Sequence, residues 1–152
     1  MLRTLYRSAL ASAMLAVAGA ALLTLPAQPA MASSHYIGTR QESARCASQY
    51  PSALCLYYHG DGSGAIWYTG VWWQDIAGGD PNLGDNRFVA GTGAGAGVIV
   101  RNNAAYMDCD WVNYACESFY SPNYTGNYDI EFNGQGGELY LTWNDEASVY
   151  HY

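Results

Sequence analysis

The chain contains no lysine: its six basic residues are all arginine, set against 13 acidic residues. A formal net charge of −7 makes nucleic acid a poor partner, because phosphate backbones are held by clustered basic side chains. Catalytic signatures are missing too. The histidines His35, His59 and His151 form no HExxH spacing, and Ser63 in Gly62-Ser63-Gly64 sits among turn residues instead of on a nucleophile elbow. No two carboxylates stand out as the facing pair a glycosidase needs. The chain is read as a non-enzyme. No amphipathic helical stretch rises above the background either, which leaves an all-β reading.

The first 32 residues have the layout of a signal peptide. Arg3 and Arg7 precede an apolar run from Ala9 to Leu25, and Ala30-Met31-Ala32 supplies small residues for cleavage. The remaining 120 residues would carry a charge of 4 − 13 = −9, suited to solubility outside the cell and to cation binding. A secreted, extracellular monomer with no membrane association after processing is expected. Residues 33–45 read as a polar, flexible N-terminal arm ahead of one domain spanning 46–152, with two motifs at about 46–106 and 107–152.

Four cysteines in an exported chain read as disulfides. Three connectivities are open, and local pairing of Cys46 with Cys55 and Cys109 with Cys116 is favoured by proximity and by a repeat. Cys55 is followed by Tyr57 and Gly64, and Cys116 by Phe119 and Gly126, about 62 residues further on. Strands are predicted near Leu54–Tyr58, Ala65–Tyr68, Phe88–Ala90, Gly97–Arg101, Ala115–Tyr120, Tyr128–Phe132 and Leu139–Trp143, with a short helical turn around Trp73–Ala77. The glycine run from Gly91 to Gly97 leads into a β-type segment, not a helix. It therefore reads as a bulge or close backbone approach and not as a phosphate loop.

Phe119-x4-Tyr124-x-Gly126 has the spacing of a folded hairpin in which glycine takes a positive φ and an aromatic packs over the turn. This pattern matches the Greek-key signature of βγ-crystallins, whose first copy here, Tyr57-x6-Gly64, has Gly62 in place of the second aromatic. Asn144-Asp145-x-x-Ser148 resembles the calcium-binding stretch of microbial βγ-crystallins, with Val149 where a serine is usual, and Asn102-Asn103 is its counterpart. The other reading of these residues is a pair of Asx turns closing strands.

With the cysteine brackets and the segments LCLYYHGDGSGA, GAGVIVRNNAAY and NYTGNYDIEF, the chain resembles the secreted actinobacterial peptidase inhibitors typified by the Streptomyces metalloproteinase inhibitor. The resemblance covers roughly residues 46–150. It implies a βγ-crystallin-like sandwich of two Greek-key motifs and an extracellular zinc metalloprotease as partner. It also places a reactive loop at Cys109, Asp110, Trp111 and Val112, presented by the second disulfide. Asp110 is small and charged where such proteases take a large apolar residue, so the alternative register brings Trp111 or Val112 into the cleft. Two other functions compete: a calcium-binding extracellular module using Asn144, Asp145 and Ser148, and a glycan- or surface-binding module using Trp67, Tyr68, Trp72 and Trp73.

Overall fold

The computed structural model describes residues 31–38, 40–41, 44–69, 78–110 and 115–152. The expected signal peptide lies almost wholly outside them, as do Trp72, Trp73 and the proposed turn around 73–77. The described elements run β1 (Ser34–Tyr36), β2 (Arg40–Gln41), α1 (Ala44–Gln49), β3 (Leu54–Tyr57), β4 (Ile66–Thr69) and β5 (Gly78–Asp80). A 3-10 turn at Leu83–Asp85 precedes β6 (Tyr106–Cys109), β7 (Ala115–Ser121), β8 (Thr125–Phe132), β9 (Gln135–Glu138) and β10 (Ser148–His151). No helix among the described residues is long and apolar enough to cross a membrane.

Among the described residues ten strands form two five-stranded sheets, ordered β1-β8-β7-β10-β5 and β2-β9-β6-β3-β4. The order reveals an exchange between the halves of the chain. The first sheet holds β7, β8 and β10 of the second half with β5 of the first, and the second sheet holds β3, β4 and β6 with β9. Matching backbone bonds recur within each half and between them. Within the halves, Ala105 N donates to Tyr57 O at 2.9 Å, and Ala147 N to Phe119 O at 2.8 Å. Asn102 N donates to Glu146 O at 3.0 Å, and Asn144 N to Ala104 O at 2.8 Å.

The main core packs Leu54, Leu56, Trp67, Leu83, Phe88, Val100, Met107, Leu139 and Val149 together. Strand β3 is buried on both faces. Its other side, Cys55 and Tyr57, lies with Ile66 and Tyr106 in a second cluster that includes Cys46 of α1. That short helix is locked down by the Cys46–Cys55 disulfide and by Arg45, whose guanidinium donates to Gly64 O at 2.6 Å and Thr92 O at 2.7 Å.

The arm expected to be flexible instead adds an edge strand to each sheet, β1 in parallel with β8 and β2 antiparallel to β9. The outer edges of β8 and β9 offer unpaired backbone groups, and polar residues pair with them as well as apolar ones do. Of the predicted strands, those at β3, β4, β7 and β8 form. The segments 88–90 and 97–101 form no strand; Phe88 N donates to Val98 O at 3.0 Å and Gly97 N to Phe88 O at 2.9 Å, beside an isolated bridge of Arg87 to Ile99. Gly95 allows that packing, since a Cβ there would run into the Tyr58 ring.

Residues 139–143 are not a strand because the buried carboxylate of Asp129 folds them around itself. It accepts from the backbone N–H groups of Tyr140 (3.0 Å), Leu141 (3.1 Å) and Thr142 (2.9 Å), and from the Thr142 hydroxyl (2.8 Å). Three converging amides compensate the charge of a fully buried aspartate.

Candidate functional site

Both disulfides pair locally, Cys46 with Cys55 and Cys109 with Cys116, and no described cysteine is free. The second joins the end of β6, in one sheet, to the start of β7, in the other, with Cα atoms 5.6 Å apart. Both its cysteines are fully buried in the main core. Six residues, 110–115, connect them. Trp111 and Val112 lie outside the described residues.

The Cys109–Asp110 bond, which the resemblance marks as reactive, is held inside the fold on both sides. Cys109 O accepts from Gly134 N at 2.8 Å, and Asp110 N donates to Ala53 O at 3.0 Å. The Asp110 carboxylate accepts from Ser52 N at 2.9 Å, which supports the positive φ of 60° at Ser52. A protease cleft binds its substrate as an extended strand through these same backbone groups. In this register they are already occupied. Asp110 is therefore an anchor of the loop's base.

The Asn102-Asn103 and Asn144-Asp145 stretches form a matched pair of turns. Asn102 and Asn144 take positive φ of 60° and 53°, and each donates its amide across to the other half. A cavity of about 370 Å³ lies where they meet, lined among others by His59, Asn102, Asn103, Trp143 and Asn144. Of the three residues singled out for calcium, only Asn144 lines it. Ser148 is buried, with its hydroxyl donating to Ser121 O at 2.7 Å and accepting from Tyr124 N at 3.0 Å. Asn144 and Asp145 are exposed. Ser148 thus spends its donor and one acceptor site on the hairpin, and the three do not fit as one ligand set. Among the described residues no group of three or more His, Cys, Asp or Glu side chains is arranged to hold a metal.

Glu146, between the two turns, was not visible as special in the sequence. Its carboxylate Oε1 accepts from Asn103 N at 2.9 Å and Ala104 N at 2.7 Å, and burial pushes its pKa up to about 8. Burial likewise raises Glu131 to about 7, helped by the nearby charge of Asp108. Each of these glutamates leaves one oxygen without a hydrogen-bond partner among the described residues, which favours the protonated form.

Two members of the aromatic cluster proposed for glycans, Trp67 and Tyr68, are among the described residues. Trp67 is buried, its indole donating to Asn86 Oδ1 at 3.2 Å, and half-buried Tyr68 stacks on Tyr50 with ring centroids 3.7 Å apart. No family model, curated protein or solved structure matches the chain.

Proposed function

We propose that the protein is a secreted, non-enzymatic peptidase inhibitor on a βγ-crystallin-like sandwich of two Greek-key motifs. The strand exchange between halves, the paired turns at Asn102 and Asn144, and the positive φ of 82° shared by Gly64 and Gly126 support that fold. One observation carries the activity: the Cys109–Cys116 disulfide fixes both ends of a short loop in buried strands of opposite sheets. A loop with fixed ends loses little conformational entropy on entering a cleft. If a bond in it is cut, the halves stay tethered and can be rejoined.

The residues after Asp110 make the contact, with Trp111 as the apolar anchor in the primed pocket of a thermolysin-type zinc endopeptidase. Secretion accords with two structural disulfides, which persist in oxidising compartments. The test is titration of zinc and serine endopeptidases with the purified oxidised chain. Stoichiometric inhibition of a zinc enzyme, lost in Trp111→Ala with an unchanged melting temperature, is the expected result. Failure to inhibit any enzyme of the panel at micromolar concentration overturns the reading.

A further inference from the structure

On β7, Cys116 and Ser118 face the interior, so Glu117 and Phe119 face outward from the first sheet. Strand pairing sets Tyr150 of β10 and Ile130 of β8 beside Glu117, and Tyr128 beside Phe119. Tyr124, from the β7–β8 turn, and Tyr152, just past β10, complete the group. Together Glu117, Phe119, Tyr124, Tyr128, Tyr150 and Tyr152 line a cavity of about 460 Å³. We propose that this cavity is a binding site for an organic cation of the alkylammonium class, held between the tyrosine faces and the Glu117 carboxylate.

Three observations carry the assignment. First, the rings meet one another edge to face and do not stack. Tyr124 and Tyr150 are 5.1 Å apart at 67°, and Tyr150 and Tyr152 are 5.1 Å apart at 76°. A sugar stacks on one broad exposed ring face, whereas several tyrosine rings set at steep angles around one cavity suit a compact cation, which is attracted to ring faces.

Second, Glu117 is only 6% exposed, and among the described residues its carboxylate has one hydrogen bond, from the Tyr152 hydroxyl to Oε2 at 2.9 Å. It forms no ion pair among the described residues. Desolvation raises its pKa, with the Tyr152 bond opposing. A buried carboxylate with a single neutral donor is stabilised by a cation that enters the site.

Third, Tyr124 takes a φ of 60°, a backbone conformation that a bulky residue resists, and is held there by its amide bond to Ser148 Oγ. Burial, and then the nearby charge of Asp80, raise the pKa of Tyr124, and that Asp80 charge adds negative potential near the box. The site borders the base of the disulfide loop, since Glu117 follows Cys116 and Tyr152 N donates to Ala115 O at 3.0 Å, but its ligand binding is measured independently of peptidase inhibition.

Calorimetric titration tests it with tetramethylammonium, with the uncharged isostere 3,3-dimethyl-1-butanol, and with N-acetyl-lysinamide. Tetramethylammonium should bind with a dissociation constant in the millimolar range, at least about tenfold more tightly than the alcohol. Glu117→Gln, which keeps an acceptor for Tyr152, should weaken it about tenfold, and Tyr150→Leu should do the same with a folded far-ultraviolet spectrum. Comparable binding of N-acetyl-lysinamide identifies the ligand as a basic side chain of a protein. Binding of tetramethylammonium alone identifies a free quaternary ammonium compound. Equal binding of the alcohol, indifference to Glu117→Gln, or no binding at about 20 mM overturns the proposal.

Discussion

Tyr124 stands in the second half of the domain where Gly62 stands in the first, and both take positive φ, 60° and 78°. The residues that follow two places on, Gly126 and Gly64, share a φ of 82°. Each half also gives its first corner aromatic an edge-on partner, from different places. Tyr57 meets Tyr106 of β6 at 5.8 Å and 79°, whereas Phe119 meets Tyr124 of the turn at 6.0 Å and 65°. Tyr106 and Ser148 open the corresponding strands β6 and β10. Where the turn is glycine the strand supplies the ring, and where the turn supplies the ring the strand has a serine that bonds the turn's amide.

This trade predicts an inversion of the usual size rule at position 124. Tyr124→Ala loses the ring and keeps the strained backbone, while Tyr124→Gly loses the ring and relieves the strain. The glycine variant should be the more stable of the two by about 1 kcal/mol, read from urea midpoints. An alanine variant equal to or more stable than the glycine one would mean that the backbone carries no strain there.

The corner and the disulfides were legible because cysteine spacing and a glycine at a turn are local signals. Strands β6 and β9 were not. Met107 and Asp108 alternate against polar expectation because Asp108 is buried, and Gly136 and Gly137 in β9 carry no side chain to signal a strand. They are needed because a Cβ at Gly137 would meet the Ile37 backbone, and one at Gly136 the Asp108 carboxylate. Residues 139–143 show the opposite failure. Their apolar and aromatic content suggests a strand, but a carboxylate distant in sequence commandeers their amides. Of the candidate site, the loop's base could be read from Cys109 and Cys116. The outward tyrosine box could not, since it assembles from three strands and a turn.

Asp129 should therefore be a strong determinant of stability. Asp129→Asn puts an amide N–H₂ where four donors currently converge on two oxygens, leaving at least one buried donor unsatisfied. A loss of about 3 kcal/mol is expected, with an unchanged dependence on denaturant concentration. A loss below about 0.5 kcal/mol would show that the 140–142 loop does not depend on the charge.

The raised glutamates set the pH profile of stability. Glu146 and Glu131 sit at about 8 and about 7 when folded, above their ordinary value of 4.5. Between those limits the folded state holds more protons than the unfolded one, so stability falls as pH rises through the window and is greatest toward its acid end. The melting temperature should drop by several degrees between about pH 5 and about pH 8.5. Glu146→Gln retains an acceptor for Asn103 and Ala104 and should flatten the alkaline part of the fall. A melting temperature that climbs over this range would contradict the burial argument.

Removing each disulfide separates stability from activity. Both close short loops, with sequence separations of 9 and 7, so each contributes about 2.5 kcal/mol by loop entropy. On the proposed inhibitor function, the Cys46→Ser/Cys55→Ser variant frees α1 from β3 and should lose that stability while still inhibiting a zinc endopeptidase at low temperature. The Cys109→Ser/Cys116→Ser variant should lose a comparable amount and also lose inhibition, because its loop is no longer fixed at both ends and is cleaved as a substrate. Mass spectrometry of the protease mixture distinguishes the outcomes. Cleavage within 110–115 of the second variant, with an intact and inhibitory first variant, is expected. Equal inhibition by both would leave the Cys109–Cys116 bracket with a purely structural role, joining the two sheets as Cys46–Cys55 joins helix to strand.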